Sequence, residues 1–320
     1  MTTAAQPFDL LRLFGGGDRV AEAPAGPPES PPVRYAVGPV VIEVRSDLPD
    51  AASDLRHLYA EYVDKPGRGR PVIRVEARAT ARLFGIPRRF TIFGDGEELF
   101  PNLRPEEVLP YIEWAINYRV IARCRQFLQF HAATLARDGQ GIMLVGQSGC
   151  GKSTLTAILA AQGWQYLSDE FALLDPITLE LHPFPKALCV KSGSFHVIRE
   201  LGLPLWSRRP YVKAFKGRVA FVTPSSLPAA SVPVPLRAVV FPRFSTDAEP
   251  GIFPVARSDA AFRLAANAFN RANFGEDLVA TLADVVSSAA CATFVPGTST
   301  ETATLLASIV QPHRSVRVTH

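Results

Sequence analysis

A glycine-rich segment ending in lysine and serine is the clearest chemical pattern in the sequence. The run Gly146-Gln147-Ser148-Gly149-Cys150-Gly151-Lys152-Ser153 matches the phosphate-loop pattern G-x-x-x-x-G-K-[ST] at every fixed position. Glycines let such a loop turn its N–H groups towards phosphate oxygens, and the helix that follows adds a partial positive charge there. We expect Lys152 to bridge the terminal phosphates of ATP and Ser153 to ligate Mg²⁺. The whole segment, through Thr154, is predicted to bind the nucleotide.

Two adjacent acids follow the loop at a short interval. Asp169 and Glu170 end the apolar run WQYLSDE, and Asp169 lies 17 positions after Lys152. Phosphoryl transfer to a hydroxyl needs a group that accepts the proton and a group that holds the metal. Neighbouring residues of a strand point to opposite faces, so the two acids can share this work only where the strand ends. The alternative interpretation is that both acids cap or solvate a loop.

Strand and helix patterns alternate around these residues. A buried-strand run at 141–145 precedes the loop and a helix-forming run at 154–162 follows it. FLQFHAATLA, ELHPFP and ALCVK are also strand-like, and this alternation predicts an α/β domain. From residue 260 onwards the pattern indicates two or three helices, interrupted by ATFVP as an edge strand.

The first part of the chain is organised differently. Residues 1–33 are rich in proline and glycine and are predicted to be a flexible tail. Residues 34–120 are predicted to form a small α+β unit that recognises a substrate or partner. It contains strands in VGPVVIEVRS and RPVIRVEARA, a helix after Asp50, a hairpin in RRFTIFGDGEELF and a long helix from Pro105. Residues 121–320 are then the P-loop domain.

Composition narrows the class of protein. The 320 residues are 47% hydrophobic, enough for a substantial core, and include 34 basic and 30 acidic side chains. The net charge of +4 is not concentrated in a basic run, which argues against nucleic acid as a partner. The four cysteines form no CxxC pair, and no stretch reaches the ~18 apolar residues of a membrane helix. We predict a cytoplasmic protein with reduced thiols and no membrane span.

Residues 127–191 resemble the catalytic core of HPr kinase/phosphorylase, and more closely the shorter kinases related to it. The similarity comprises His131-Ala132, the loop GQSGCGKS, the segment YLSDE and the intervals between them. It implies an α/β P-loop kinase core of the HPr kinase and phosphoenolpyruvate carboxykinase type. It further implies that Asp169 is the general base towards an acceptor serine, that Glu170 is a metal ligand, and that His131 assists near the transferred phosphate. That family has aspartate at position 170, and the longer Glu170 can still ligate Mg²⁺.

The leading hypothesis is therefore an ATP- and Mg²⁺-dependent kinase that phosphorylates a serine hydroxyl of a protein or peptide. Two alternatives stay open. One is a small-molecule kinase on the same core, and the other is a non-catalytic nucleotide-binding partner of a peptide-modification or export system. Lys186, Lys191 and Arg243 are further candidates for contacts to phosphate or to the acceptor. HPr kinases assemble through their core, so the resemblance allows a homo-oligomer.

Overall fold

The computed structural model describes residues 28–310, except residues 64, 66, 68, 84, 85, 148, 215 and 245–247, and leaves the side chains of 81–87 undescribed. Residues 1–27, most of the predicted flexible tail, lie outside this range. The last residues of that tail contact the first sheet, since the Ser30 hydroxyl donates to the Ser46 carbonyl oxygen at 3.0 Å. The fold is mixed α/β, as the sequence predicted.

A five-stranded sheet opens the described chain. Its strands follow one another in the sheet as they do in the sequence; β2 and β3 are parallel and the other neighbours are antiparallel. The predicted hairpin turns at Asp95 and Gly96, whose φ angles of +48° and +86° fit a two-residue turn of the primed type. The elements are β1 (Val33–Val37), β2 (Val40–Ser46), α1 (Pro49–Leu58), β3 (Val72–Leu83), β4 (Ile86–Gly94) and β5 (Glu97–Leu103).

Helix α2 (Pro105–Arg123) packs against this sheet and carries polar residues on a buried face. Pro105 occupies the first turn, where its missing N–H costs no hydrogen bond. Glu113 and Asn117 are both buried and stand four residues apart, so they lie on the same side of the helix. Buried polar groups need partners, and these two therefore face a polar region of the fold.

The second part of the chain builds a nine-stranded sheet and a smaller three-stranded one. In the large sheet the order is β6-β10-β11-β15-β8-β7-β9, with β17 beside β15 and β16 beside β17. The small sheet has the order β12-β14-β13. The strands are β6 (Leu128–Phe130), β7 (Ala132–Arg137), β8 (Gln140–Val145), β9 (Gln165–Ser168), β10 (Ala172–Leu174), β11 (Glu180–His182), β12 (Leu188–Lys191), β13 (Trp206–Lys213), β14 (Gly217–Val222), β15 (Val234–Pro242), β16 (Gly251–Pro254) and β17 (Ala290–Val295).

Four strands of the large sheet end at the same edge. Strands β8, β15 and β17 are parallel, and β9 runs the same way because β8 and β9 are both antiparallel to β7. The phosphate-loop sequence follows β8 and the acidic pair follows β9, so both leave the sheet at this edge. The helices of this part are α3 (Lys152–Ala161), α4 (Phe195–Glu200), α5 (Arg257–Asn267), α6 (Asp277–Ser288) and α7 (Ser299–Val310).

One hydrophobic cluster joins the two parts of the chain. Phe171, Phe184 and Phe221 belong to the same buried cluster as Tyr35 and Phe90 of the first sheet. The first sheet therefore shares a core with the segment that follows the acidic pair.

Two secondary-structure predictions differ from the structure. FLQFHAATLA was expected to be one strand, but it divides at His131 because β6 pairs with β10 whereas β7 pairs with β8 and β9. The prediction of an edge strand at ATFVP was wrong, since β17 lies between β15 and β16. Ala292 and Phe294 of β17 are buried, which an interior strand requires.

Candidate functional site

The loop between β8 and α3 has the backbone that its glycines suggest. Gly149 and Gly151 have φ angles of +94° and +79°, which side-chain-bearing residues rarely adopt. Helix α3 starts at Lys152, directly after Gly151, so its first N–H groups and its positive dipole end face the loop. Of the predicted nucleotide-binding residues, Ser148 lies outside the described residues.

Lys152 is folded against its own loop. Its ammonium group donates to the carbonyl oxygens of Gly146 at 2.5 Å and Gln147 at 3.0 Å, and its Nζ lies 3.9 Å from the Cys150 sulfur. Burial lowers the pKa of Lys152, which is only 7% exposed. The loop thus holds a desolvated positive charge among carbonyl oxygens, where a bound anion would be attracted.

Asp169 follows β9 and lies beside the loop. The Ser153 hydroxyl donates to Asp169 Oδ2 at 2.8 Å, whereas Oδ1 is buried and accepts no hydrogen bond from the described residues. Burial, with a smaller contribution from the neighbouring Glu170 charge, raises the pKa of Asp169 to about 6. Asp169 therefore has one oxygen free for a ligand or proton, and a proton affinity well above that of an ordinary aspartate.

Glu170 occupies a different environment from its neighbour. Its φ of +74° is strained for a residue with a side chain, and this conformation turns the chain between the two acids. Asn117 donates to Glu170 Oε2 at 2.5 Å, and Lys213 and Lys216 approach Oε1 at 3.5 and 3.4 Å. Burial raises the pKa of Glu170, but the nearby lysines outweigh it and bring the pKa well below the usual value. Glu170 is thus a permanently ionised carboxylate at neutral pH.

A buried network behind Glu170 connects it to α2. Lys186 forms an ion pair with Glu113 at 3.0 Å and donates to the side-chain oxygen of Asn117. Tyr59, which directly follows α1, donates its hydroxyl hydrogen to the Glu113 carboxylate at 2.9 Å. The amide of Asn117, oriented by Lys186, therefore points its N–H towards Glu170.

Sequence reasoning missed several of these residues. Glu113 and Asn117 could have been recognised from the sequence, because they are two polar residues four positions apart in the otherwise apolar helix segment YIEWAINY. For Lys213 and Lys216 we find no such signal, since they come from a segment more than 40 residues beyond the acids.

The remaining predicted residues are placed as follows. His131 lines the same cavity as Lys152 and Glu170, and burial together with the Lys152 charge lowers the pKa of His131 to about 3, so it is neutral. The Thr154 hydroxyl lies 2.7 Å from that of Ser194, just beyond β12. Lys191 also lines the cavity, whereas Arg243, after β15, does not.

The cavity over the acids has a positive lining. It measures about 110 Å³ and is bounded by His131, Gly149, Gly151, Lys152, Ser153, Thr154, Asp169, Glu170, Cys189, Val190, Lys191, Ser194 and Lys216. A recess of about 10 Å³ adjoins it at both acids and adds Glu113, Lys186 and Lys213. The linings of the two cavities together contain five lysines and three carboxylates, which gives a net charge of +2. A larger cleft, about 380 Å³, lies between α4 and β13–β14 and includes none of the predicted site residues.

The donor atoms beside the loop fit a magnesium ion. The described residues contain no cluster of three or more His, Cys, Asp and Glu side chains that would hold a metal by themselves. Mg²⁺, however, commonly uses one or two protein oxygens together with water and phosphate oxygens. Ser153 and Asp169 supply such oxygens, and the Ser153 hydroxyl lies 2.8 Å from Asp169 Oδ2. The structure pairs Ser153 with Asp169, whereas the sequence had assigned the metal to Ser153 and Glu170.

Comparison with known proteins gives a limited result. The profile of a family described as "SynChlorMet cassette protein ScmC" matches residues 106–194, the segment that holds His131, the loop and both acids. Among solved structures, the Hpr(Ser) kinase/phosphatase from Coxiella burnetii is similar at 13% identity, with 58% of this chain and 95% of that chain covered and a TM-score of 0.29. No curated protein matches. No helix in the described ranges is long and apolar enough to span a membrane. The chain thus has a distant resemblance to an HPr kinase/phosphatase and a partial match to the ScmC family.

Proposed function

We propose that the chain is an ATP- and Mg²⁺-dependent kinase that phosphorylates a serine hydroxyl of a protein or peptide. The observation that carries the proposal is the contact between Ser153, at the start of α3, and the buried Asp169, both of which line a cavity that also contains lysines. A phosphate loop, a metal-binding hydroxyl and an acid with a free oxygen are the parts that phosphoryl transfer needs.

Positive charge supports phosphate as the ligand. The triphosphate carries several negative charges, and the lining of the two neighbouring cavities has a net charge of +2. Phosphoryl transfer depends mainly on positioning and on stabilising charge that spreads over the phosphate oxygens. Lys152 supplies that charge from within the loop, and Lys191 supplies it beside Gly149, where a Cβ atom added to the glycine would lie 3.6 Å from the Lys191 ammonium group.

Asp169 is the proposed proton acceptor. The serine oxygen forms a bond to the γ-phosphorus, the bond from that phosphorus to the ADP oxygen breaks, and the serine proton moves to Asp169. Its Oδ1 accepts no hydrogen bond from the described residues and is available for this role, whereas both oxygens of Glu170 are already contacted by Asn117, Lys213 and Lys216. Glu170 instead holds Lys213 and Lys216 beside the cavity.

Ser153 and the Oδ2 side of Asp169 would hold the magnesium ion. When bound, Mg²⁺ neutralises charge on the phosphate oxygens. The Asp169 carboxylate can both bind the metal and accept the proton. The transition state of phosphoryl transfer is loose, so the proton acceptor does not need to be strongly basic.

A transfer assay tests the proposal. Wild type and Asp169→Asn are incubated with Mg-ATP labelled at the γ-phosphate, with a lysate of the source organism and with a panel of small hydroxyl compounds. Asp175→Asn is the matched control, because Asp175 accepts the backbone N–H groups of Ile177 and Thr178 in its own turn and lines neither cavity. A labelled polypeptide that disappears with Asp169→Asn and persists with Asp175→Asn is the expected result.

The same assay separates the alternatives. Label in small molecules would indicate that the acceptor is a metabolite and not a protein or peptide. ATP binding without transfer to any acceptor would favour the non-catalytic partner, an alternative with which the name of the ScmC family, a cassette protein, is also compatible.

A further inference from the structure

An aromatic ring lies directly against the phosphate loop. A Cβ atom added to Gly151 would come within 2.4 Å of a ring carbon of Phe244, so glycine is required there by the ring as well as by its φ of +79°. Phe244 is nevertheless 51% exposed. Its ring thus lies beside the loop and keeps a large surface open to a ligand.

The strand order tells which end of a nucleotide would lie near this ring. Asp169 follows β9, which lies on one side of β8 across β7, whereas Phe244 follows β15, the neighbour of β8 on its other side. The phosphate to be transferred must face Asp169. The nucleoside must then extend in the opposite direction, towards the end of β15.

We propose that Phe244 is the stacking platform for the nucleobase, an inference that rests on the nucleotide binding proposed above. The loop and its lysines hold the phosphates. Among the described residues that line the cavity, none except His131 is aromatic, and His131 directly precedes β7, on the side of β8 where the acids lie. A half-exposed phenylalanine offers a flat apolar face that every base can stack on. Stacking of this kind discriminates little between bases, so ATP and GTP should depend on Phe244 to a similar degree.

Comparing two ligands distinguishes the contribution of the base to binding from that of the phosphates. Calorimetry measures the affinity of wild type and Phe244→Ala for Mg-ATP and for inorganic tripolyphosphate, which has the phosphates without a base. We expect Phe244→Ala to weaken ATP binding by about tenfold, the loss typical of one base–aromatic stack, and to leave tripolyphosphate binding unchanged. Phe253→Ala is the control, because Phe253 is 49% exposed and lies on β16, two strands from β15. It should bind both ligands like wild type.

A variant that keeps an aromatic ring tests whether a loss of binding in Phe244→Ala comes from a folding defect. Phe244→Trp keeps an aromatic face, so it should bind ATP within about twofold of wild type, and its new fluorescence should change with ATP but not with tripolyphosphate. An equal loss for both ligands in Phe244→Ala, or no loss for either, would overturn the inference, whereas binding of both ligands by wild type would still support the proposed function. Failure of wild type to bind ATP at all would sink the proposed function and this inference together.

Discussion

Replacing Asp169 by asparagine should stabilise the folded protein while strongly lowering the proposed kinase activity. The buried carboxylate is penalised by desolvation and by Glu170, and both effects raise its pKa from 3.8 to about 6. Asparagine resembles the protonated acid and can still accept the hydrogen bond from Ser153. The variant therefore removes an unfavourable charge without removing the local packing.

The magnitude follows from the pKa difference between the folded and unfolded chain. A shift of roughly two units, at about 1.4 kcal/mol each, corresponds to about 3 kcal/mol. Because the folded pKa is raised, the penalty in wild type is small below about pH 4, grows between pH 4 and 6, and is fully present above pH 6. By this linkage the variant should be more stable by about 0.5 kcal/mol at pH 4 and by about 3 kcal/mol at pH 7.

Urea unfolding followed by circular dichroism, without nucleotide or Mg²⁺, measures this difference at several pH values. Asp175→Asn is an informative control, since hydrogen bonds from Thr178 and Ile177 lower the pKa of Asp175 and its variant should show the opposite pH trend. The reasoning fails if Asp169→Asn is less stable than wild type at pH 7, or if the gap does not change with pH. Turnover of the same variant should fall by about a hundredfold or more, the usual share of a general base.

Four further results are expected. Lys152→Ala should weaken ATP binding and lower turnover, and unchanged affinity in calorimetry would contradict the assignment of the loop. The imidazole signals of His131 should show no titration between pH 5 and 8 by NMR, because its pKa of about 3 keeps the ring neutral; a midpoint near 6.5 would contradict this. Lys186→Met should destabilise the fold by about 3–5 kcal/mol because it leaves Glu113 unpaired, and Lys186→Met with Glu113→Gln should recover much of that loss in urea unfolding; equal losses would argue against the pair. Chelation of Mg²⁺ should stop label transfer, and transfer that persists in EDTA would refute the metal requirement.

The part that α2 plays in the site changes how a deletion experiment must be designed. The sequence predicted a separate N-terminal unit at 34–120, and removing it would have tested whether it recognises a substrate. Asn117 and Glu113 reach the site from within that range, and the first sheet shares a core with Phe171 and Phe221. A deletion through residue 120 would thus remove site residues and expose the core. The point variant Asn117→Leu, assayed for kcat and for urea unfolding separately, tests the contribution of this helix more cleanly.

Local patterns in the sequence were sufficient to predict the strand before the glycine-rich turn and the helix after it. Glycine spacing, the Lys152-Ser153 pair and the strand and helix periodicities are all encoded within a few residues of one another. The hairpin at Asp95-Gly96 and the helix α2 were predictable for the same reason. The backbone conformation at these positions depends mainly on neighbouring residues.

Tertiary structure alone decided that the two acids lie in different environments. Adjacent carboxylates are equivalent in the sequence, yet Asp169 is buried beside Ser153 with a raised pKa whereas Glu170 is held by Lys213 and Lys216 with a lowered one. Those lysines and Asn117 come from segments more than 40 residues away, and no local pattern specifies which of them meet. Proton affinity depends on burial and on charges within a few ångströms, and the packing of distant segments determines both.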